Sequence, residues 1–182
     1  MIRTDTAAQF ARFLKINHVP AGAEIDFQSV GGDVLGALKL GLLVHRAGLD
    51  THVRTRGGDT NDPGICASAC AYVFLAGLHR EVEDGARLGV HQFSSNSGLA
   101  DIAETQRIVA MIYLYMETVG AEPAVERLAL LTPPDNVHWL SRDELEGYKV
   151  VTTAQNTVKI VDTGRYQPVT SQSTRPGWPV NR

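Results

Sequence analysis

Three short stretches of this chain place reactive or charge-stabilising groups at junctions between structural elements. In Cys66-Ala67-Ser68-Ala69-Cys70 a polar loop gives way to an apolar run, which puts Ser68 at a predicted helix N-terminus. The first N–H groups of a helix lack partners within it, and the dipole there favours negative charge. A serine so placed can attack a carbonyl while the N–H of Ala69 faces the oxyanion that forms. The plain alternative is a capping serine whose hydroxyl satisfies the first turn. Ser29-Val30-Gly31-Gly32-Asp33 is a second strand-to-helix junction. Its paired Gly31 and Gly32 allow close approach of backbone to a ligand, with Gly32 N–H as a second oxyanion donor. The alternatives are a tight turn or a phosphate loop, and neither GxxxxGK[ST] nor GxGxxG occurs here. Finally, Gly89-Val90-His91-Gln92 ends an alternating apolar stretch in a histidine. An imidazole suits proton transfer from a serine hydroxyl, whereas the plain reading is a structural strand-end histidine.

Cys66 and Cys70, the only cysteines, flank Ser68. Residues four apart on one helix hold their Cβ atoms ~5–6 Å apart, beyond disulfide reach. We therefore read them as buried thiols, with a bridge bracing the turn and a metal site using His79 or His91 as open alternatives. No known zinc spacing is present, so no metal and no cofactor are expected.

Around these residues the pattern predicts a helix over 7–16, a strand over 23–28, a buried helix over 34–46 and a strand over 50–56. A polar loop follows over 57–64, then a buried helix over 68–78. Short strands are predicted near 81–82 and 87–92, with Asp84-Gly85 as the turn between them. A loop over 94–98 leads to the longest helix, 99–119. Helices over 124–131 and 141–148 come next, the latter with a Ser141/Glu144 capping box. Strands over 150–153 and 158–161 close the pattern. Alternating strands and helices point to an α/β layered fold with a mainly parallel sheet flanked by helices. Residues 1–162 form the expected domain, and 163–182, rich in Pro, Ser and Thr, a tail.

Composition narrows the partners. A net charge of -3 and a pI near 6.0 argue against nucleic acid and acidic membranes. No stretch approaches the ~20 apolar residues of a membrane span. No signal-peptide core follows Met1, so the chain as written reads as cytoplasmic. A true start further upstream would make it exported or periplasmic instead.

In order and spacing, these motifs resemble the proteolytic subunit of the Clp protease (ClpP) and its export-associated relatives. The segment from Ser29 to Gly36 is similar to that family's Ser-Pro-Gly-Gly stretch, with Val30 in place of the proline. Ala67-Ser68-Ala69 matches the small-Ser-small nucleophile turn, and Val90-His91-Gln92 fits the histidine context. The likeness runs from about Asp5 to Val151. It implies a ClpP/crotonase-like fold, Ser68 as nucleophile, His91 as base, Gly32 and Ala69 as oxyanion donors, and a long helix used in subunit packing. A serine peptidase acting on peptide or protein substrates, as a homo-oligomer, is the expectation.

Two departures stand beside the likeness. The family places its aspartate just ahead of an aromatic-Leu-Ser motif, matched here by Trp139-Leu140-Ser141, and strict alignment puts Val137 there. Asp135 is the candidate acid through a local shift, with Asn136 or a Ser–His dyad as alternatives. The chain also begins almost at the first helix, without the segment that meets an unfoldase ring, which makes an ATPase partner doubtful. Two other classes remain: a crotonase-like acyl-CoA enzyme, and a non-catalytic assembly or binding module.

Overall fold

The computed structural model describes residues 1–55, 63–94 and 102–152. The sequence-predicted loops over 57–64 and 94–98, the start of the long helix, the strand at 158–161 and the tail lie wholly or partly outside them.

Local chemistry sets most boundaries. α1 (Thr6–Ile16) turns Phe10 and Leu14 towards the core and leaves Phe13 and Ile16 exposed. α2 (Val34–Arg46) starts where the Asp33 carboxylate accepts the N–H of Gly36 at 2.6 Å, an N-cap bond. It stops at Gly48, which takes the positive φ of 65° needed to leave the helix. α3 (Ala69–Leu75) is buried at every residue, as its unbroken apolar sequence requires. α4 (Ile102–Val119) and α5 (Ala124–Leu131) cover one side. α6 (Arg142–Gly147) begins with the expected Ser141/Glu144 capping box.

Among the described residues six short strands form two sheets. β1 (Glu24–Asp26), β2 (Asp50–Val53) and β4 (Arg80–Val82) pair in parallel in the order β1-β2-β4. β3 (Ile65–Ala67) pairs in parallel with β5 (Arg87–Val90), which pairs antiparallel with β6 (His138–Trp139). The chain after β1 stitches the sheets together: Phe27 N–H bonds to His52 of the first, and Ser29 N–H bonds to Ile65 of the second. Asp84-Gly85 therefore carries the chain from one sheet to the other and closes no hairpin.

Two strands, β3 and β6, were not expected, and residues 150–152 form no strand. Instead they lie along β4, where Thr152 N–H donates to the Arg80 carbonyl and Arg80 N–H to the Thr152 hydroxyl. The Arg80 guanidinium turns inward onto the carbonyls of Val150, Gly77 and Lys149, so its buried charge is satisfied by three backbone oxygens. Phe74, Leu75, Leu88, Ile112 and Met116 pack the core between α3, the second sheet and α4. Among the described residues no helix is long and apolar enough to cross a membrane.

Candidate active site

The C-terminal ends of the neighbouring parallel strands β3 and β5 open into one cleft of about 690 Å³. Ligands of parallel α/β sheets commonly bind at that end. Ser68 follows β3 and His91 follows β5, and both line this cleft with Gly32, Asp33, Phe93 and Ile108. Side chains far apart in sequence thus share one opening because their strands share one ladder.

Ser68 holds φ 57° and ψ -130°, a backbone state rare outside glycine. Its N–H donates to the Gly89 carbonyl at 2.9 Å, and its own carbonyl accepts the Ala71 N–H at 2.9 Å. Its hydroxyl caps nothing, although the residue stands at the N-cap of α3. The capping alternative is therefore ruled out by the geometry, and Ser68, half-buried between buried neighbours, lines the cleft.

The glycine pair lies directly against this turn. A Cβ at Gly31 (φ 105°) would sit 2.7 Å from Ser68 Cβ and 3.1 Å from Ala69 N. Only a residue without a side chain allows that approach. Ile2 bridges the other side of the loop, donating its N–H to the Gly31 carbonyl at 2.9 Å and accepting from Asp33 N–H at 3.0 Å. Those bonds use the groups on either side of the Gly32 amide. Neither Gly32 N–H nor Ala69 N–H has a backbone acceptor among the described residues.

The histidine side is arranged more sparsely. His91 Nδ1 lies 2.7 Å from the carbonyl of Gln92, so a proton on Nδ1 is donated there and Nε2 keeps its lone pair. No hydrogen bond joins the ring to Ser68 Oγ. Gln92 is itself clamped: its N–H donates to Thr132 O at 2.9 Å and its side-chain amide to Leu130 O at 2.6 Å, at the end of α5. Asp135 sits exposed in the turn after α5, with no hydrogen bond or ion pair to His91, and Asn136 is exposed beside it. Extending the register of β5 and β6 (Val90 opposite His138) by one residue puts Val137 across from His91. His138 of β6 is engaged elsewhere, its Nε2 lying 2.9 Å from Glu144 Oε1 of α6.

The two cysteines form a disulfide, with Cα atoms 5.3 Å apart, which corrects the reading as buried thiols and removes the metal alternative. The helical spacing argument failed because Cys66 belongs to β3 and only Cys70 to α3. The turn at Ser68 folds the chain back and brings the sulfurs together. Among the described residues no group of His, Cys, Asp and Glu is arranged to hold a metal.

Beyond Ser68 on the same helix end, the Tyr72 hydroxyl of α3 donates to Glu126 Oε2 of α5 at 2.8 Å, while Glu126 Oε1 is buried without a partner among the described residues. Burial pushes the Glu126 carboxyl up to about 7, against the opposing pull of the Tyr72 bond. Tyr72 is raised as well, first by burial and then by the Glu126 charge. Neither this pair nor the Gln92 clamp was anticipated. A lone acidic residue among the apolar positions of 124–131 was the available signal for Glu126.

No family model matches the chain, and no curated protein does. Solved structures do. The chain is similar to the membrane-bound stomatin-specific protease 1510-N, a point mutant in complex with a substrate peptide: TM-score 0.61, 20% identity, 83% of this chain and 69% of that one. It is also similar to a point mutant of ClpP1 from Listeria monocytogenes: TM-score 0.57, 19% identity, 82% of this chain and 84% of that one. The chain has the ClpP-like α/β fold.

Proposed function

We propose that the protein is a serine hydrolase, a peptidase in which Ser68 is acylated and His91 moves the protons. One observation carries the reading: an uncapped serine in a left-handed turn opens onto the same cleft as a strand-end imidazole, with a glycine loop packed against its Cβ. The solved proteases of the same fold support it.

Ser68 Oγ attacks the substrate carbonyl as His91 Nε2 takes the hydroxyl proton. The carbonyl oxygen becomes an oxyanion held by the N–H groups of Gly32 and Ala69. Collapse breaks the bond to the amine or alcohol, which leaves with the proton from the imidazolium. Water then loses a proton to His91 and attacks the acyl group, and Ser68 regains its hydrogen. Peptide or protein segments are the proposed substrates. Copies of the chain would assemble through α4, whose Met111 and Leu114 are exposed.

The third group of the machinery has two candidates. Asp135 would need its turn to move before it met Nδ1. The Gln92 carbonyl already accepts from that nitrogen, which favours a Ser–His dyad with a backbone acceptor. A neutral carbonyl fixes the tautomer but stabilises the imidazolium less than a carboxylate does, so a modest turnover is expected.

A fluorophosphonate probe tests the assignment. The folded protein should gain one adduct, mapped to Ser68, and Ser68→Ala should gain none. Absence of labelling on folded protein, or labelling that persists in Ser68→Ala, would leave the non-catalytic module as the reading.

A further inference from the structure

We propose that the Cys66–Cys70 bridge is the positioning element of the nucleophile, and that it makes hydrolysis depend on the redox state of the protein. The inference rests on the assignment of Ser68 above and extends it to regulation of the same site.

A serine at a helix N-cap ordinarily spends its hydroxyl on the first turn, and that bond helps hold the residue in place. Here the hydroxyl must stay free to react, and it caps nothing. Ser68 nevertheless keeps a backbone state that other residues avoid, which persists only where the surroundings over-determine it. Two backbone bonds and the contact with Gly31 contribute. The remaining restraint is covalent. Cys66 at the end of β3 and Cys70 in the first turn of α3 close a ring with Ser68 at its midpoint. The same ring holds Ala69, and therefore the N–H on the oxyanion side. Both cysteines are fully buried, so the bridge acts inside the wall of the cleft.

Opening the ring requires a dithiol reductant. One of its thiolates attacks a cystine sulfur, the Cys66–Cys70 bond breaks, and a mixed disulfide forms. The second thiol displaces the protein sulfur and closes the reductant into its own disulfide. Two electrons and two protons pass to Cys66 and Cys70, which end as thiols. Ser68 then loses the covalent restraint and relaxes from its strained φ, away from the Gly31 loop. Because the sulfurs are buried, reduction proceeds through opening of this turn.

The test compares oxidised, dithiothreitol-reduced and re-oxidised protein, with the state of the bridge read by alkylation and intact mass. Fluorophosphonate labelling of Ser68 is timed well below the melting temperature of the reduced form. Amide hydrogen exchange over 66–71 is followed in parallel. Reduction should slow labelling by roughly 10²-fold, the scale expected for a small misplacement of a reacting group. It should also raise exchange over 66–71, and re-oxidation should reverse both. Cys66→Ala/Cys70→Ala should label slowly and ignore dithiothreitol; should that variant not fold, the reduced wild-type chain supplies the same comparison. Labelling at an unchanged rate after reduction, with unchanged exchange, would overturn the proposal. So would an equal effect of dithiothreitol on the double variant. If the oxidised protein does not label at all, the Ser68 assignment fails. Exchange over 66–71 then still decides whether the bridge holds the turn.

Discussion

The two halves of the cleft are built to different standards. On the serine side, Ser68 is held by two backbone bonds, a disulfide and a glycine pressed against its Cβ. On the histidine side, one ring nitrogen meets the carbonyl of the next residue, and a valine stands where an acid would face it. The disulfide ring, with a sequence separation of 4, restrains the unfolded chain by only about 2 kcal/mol, so its chief effect is local. On the proposed assignment, preorganisation is concentrated where the oxyanion would form, which is where electrostatic stabilisation acts most strongly. His91, the proposed base, is positioned by the end of a strand and by Gln92.

Substitutions on each side can break or sharpen this contrast. Gly31→Ala introduces a Cβ against Ser68 Cβ at a positive φ. It should slow Ser68 acylation by about 10²–10³-fold, the scale of losing an oxyanion donor, measured as the rate of probe labelling. A change below tenfold would mean that the serine side is softer than described.

The buried support behind that side should show itself in pH dependence. Glu126 in the folded protein has its carboxyl raised to about 7, above its ordinary 4.5, so the folded state holds the proton longer than the unfolded one. Stability is then greatest below about 4.5 and falls as pH rises towards about 7, by roughly 3 kcal/mol. Glu126→Gln should flatten that slope in melts between pH 5 and 7.5 while keeping the bond from Tyr72. An unaltered slope would detach Glu126 from the rigidity of α3.

Smaller effects belong to the histidine side. Gln92→Ala removes the amide that ties this residue to Leu130. Acylation should slow by about tenfold, with an altered pH profile, because the carbonyl facing Nδ1 is no longer fixed. Asp135→Asn should slow it less than about threefold. A loss near 10⁴-fold, as for a true triad acid, would show that the turn moves and that Asp135 completes the site.

The sequence announced the helices best, because long apolar faces and caps are local signals. The span of α2 matches its predicted bounds, and so does that of α5. Ser68, His91 and the glycine pair were legible as junction residues, and Ser68, His91 and Gly32 share one cleft. β3 and β6 were not, since strands of three and two residues carry no periodicity to read. The disulfide was misjudged for a related reason: its reach depends on the turn at Ser68, which no spacing rule for a helix describes. The candidate for a third group stayed ambiguous because it depends on the register between β5 and β6. That register, a long-range pairing, sets Val137 rather than Asp135 across from the imidazole.

Contact between Gly31 and the Ser68 Cβ couples the proposed attacking hydroxyl to the amides of Gly32 and Ala69 as one mechanical unit. A wedge that parted the seam would displace both together, so the site cannot be assembled by halves. On the proposed assignment, an inhibitor directed at that seam would block acylation of Ser68 without touching the imidazole.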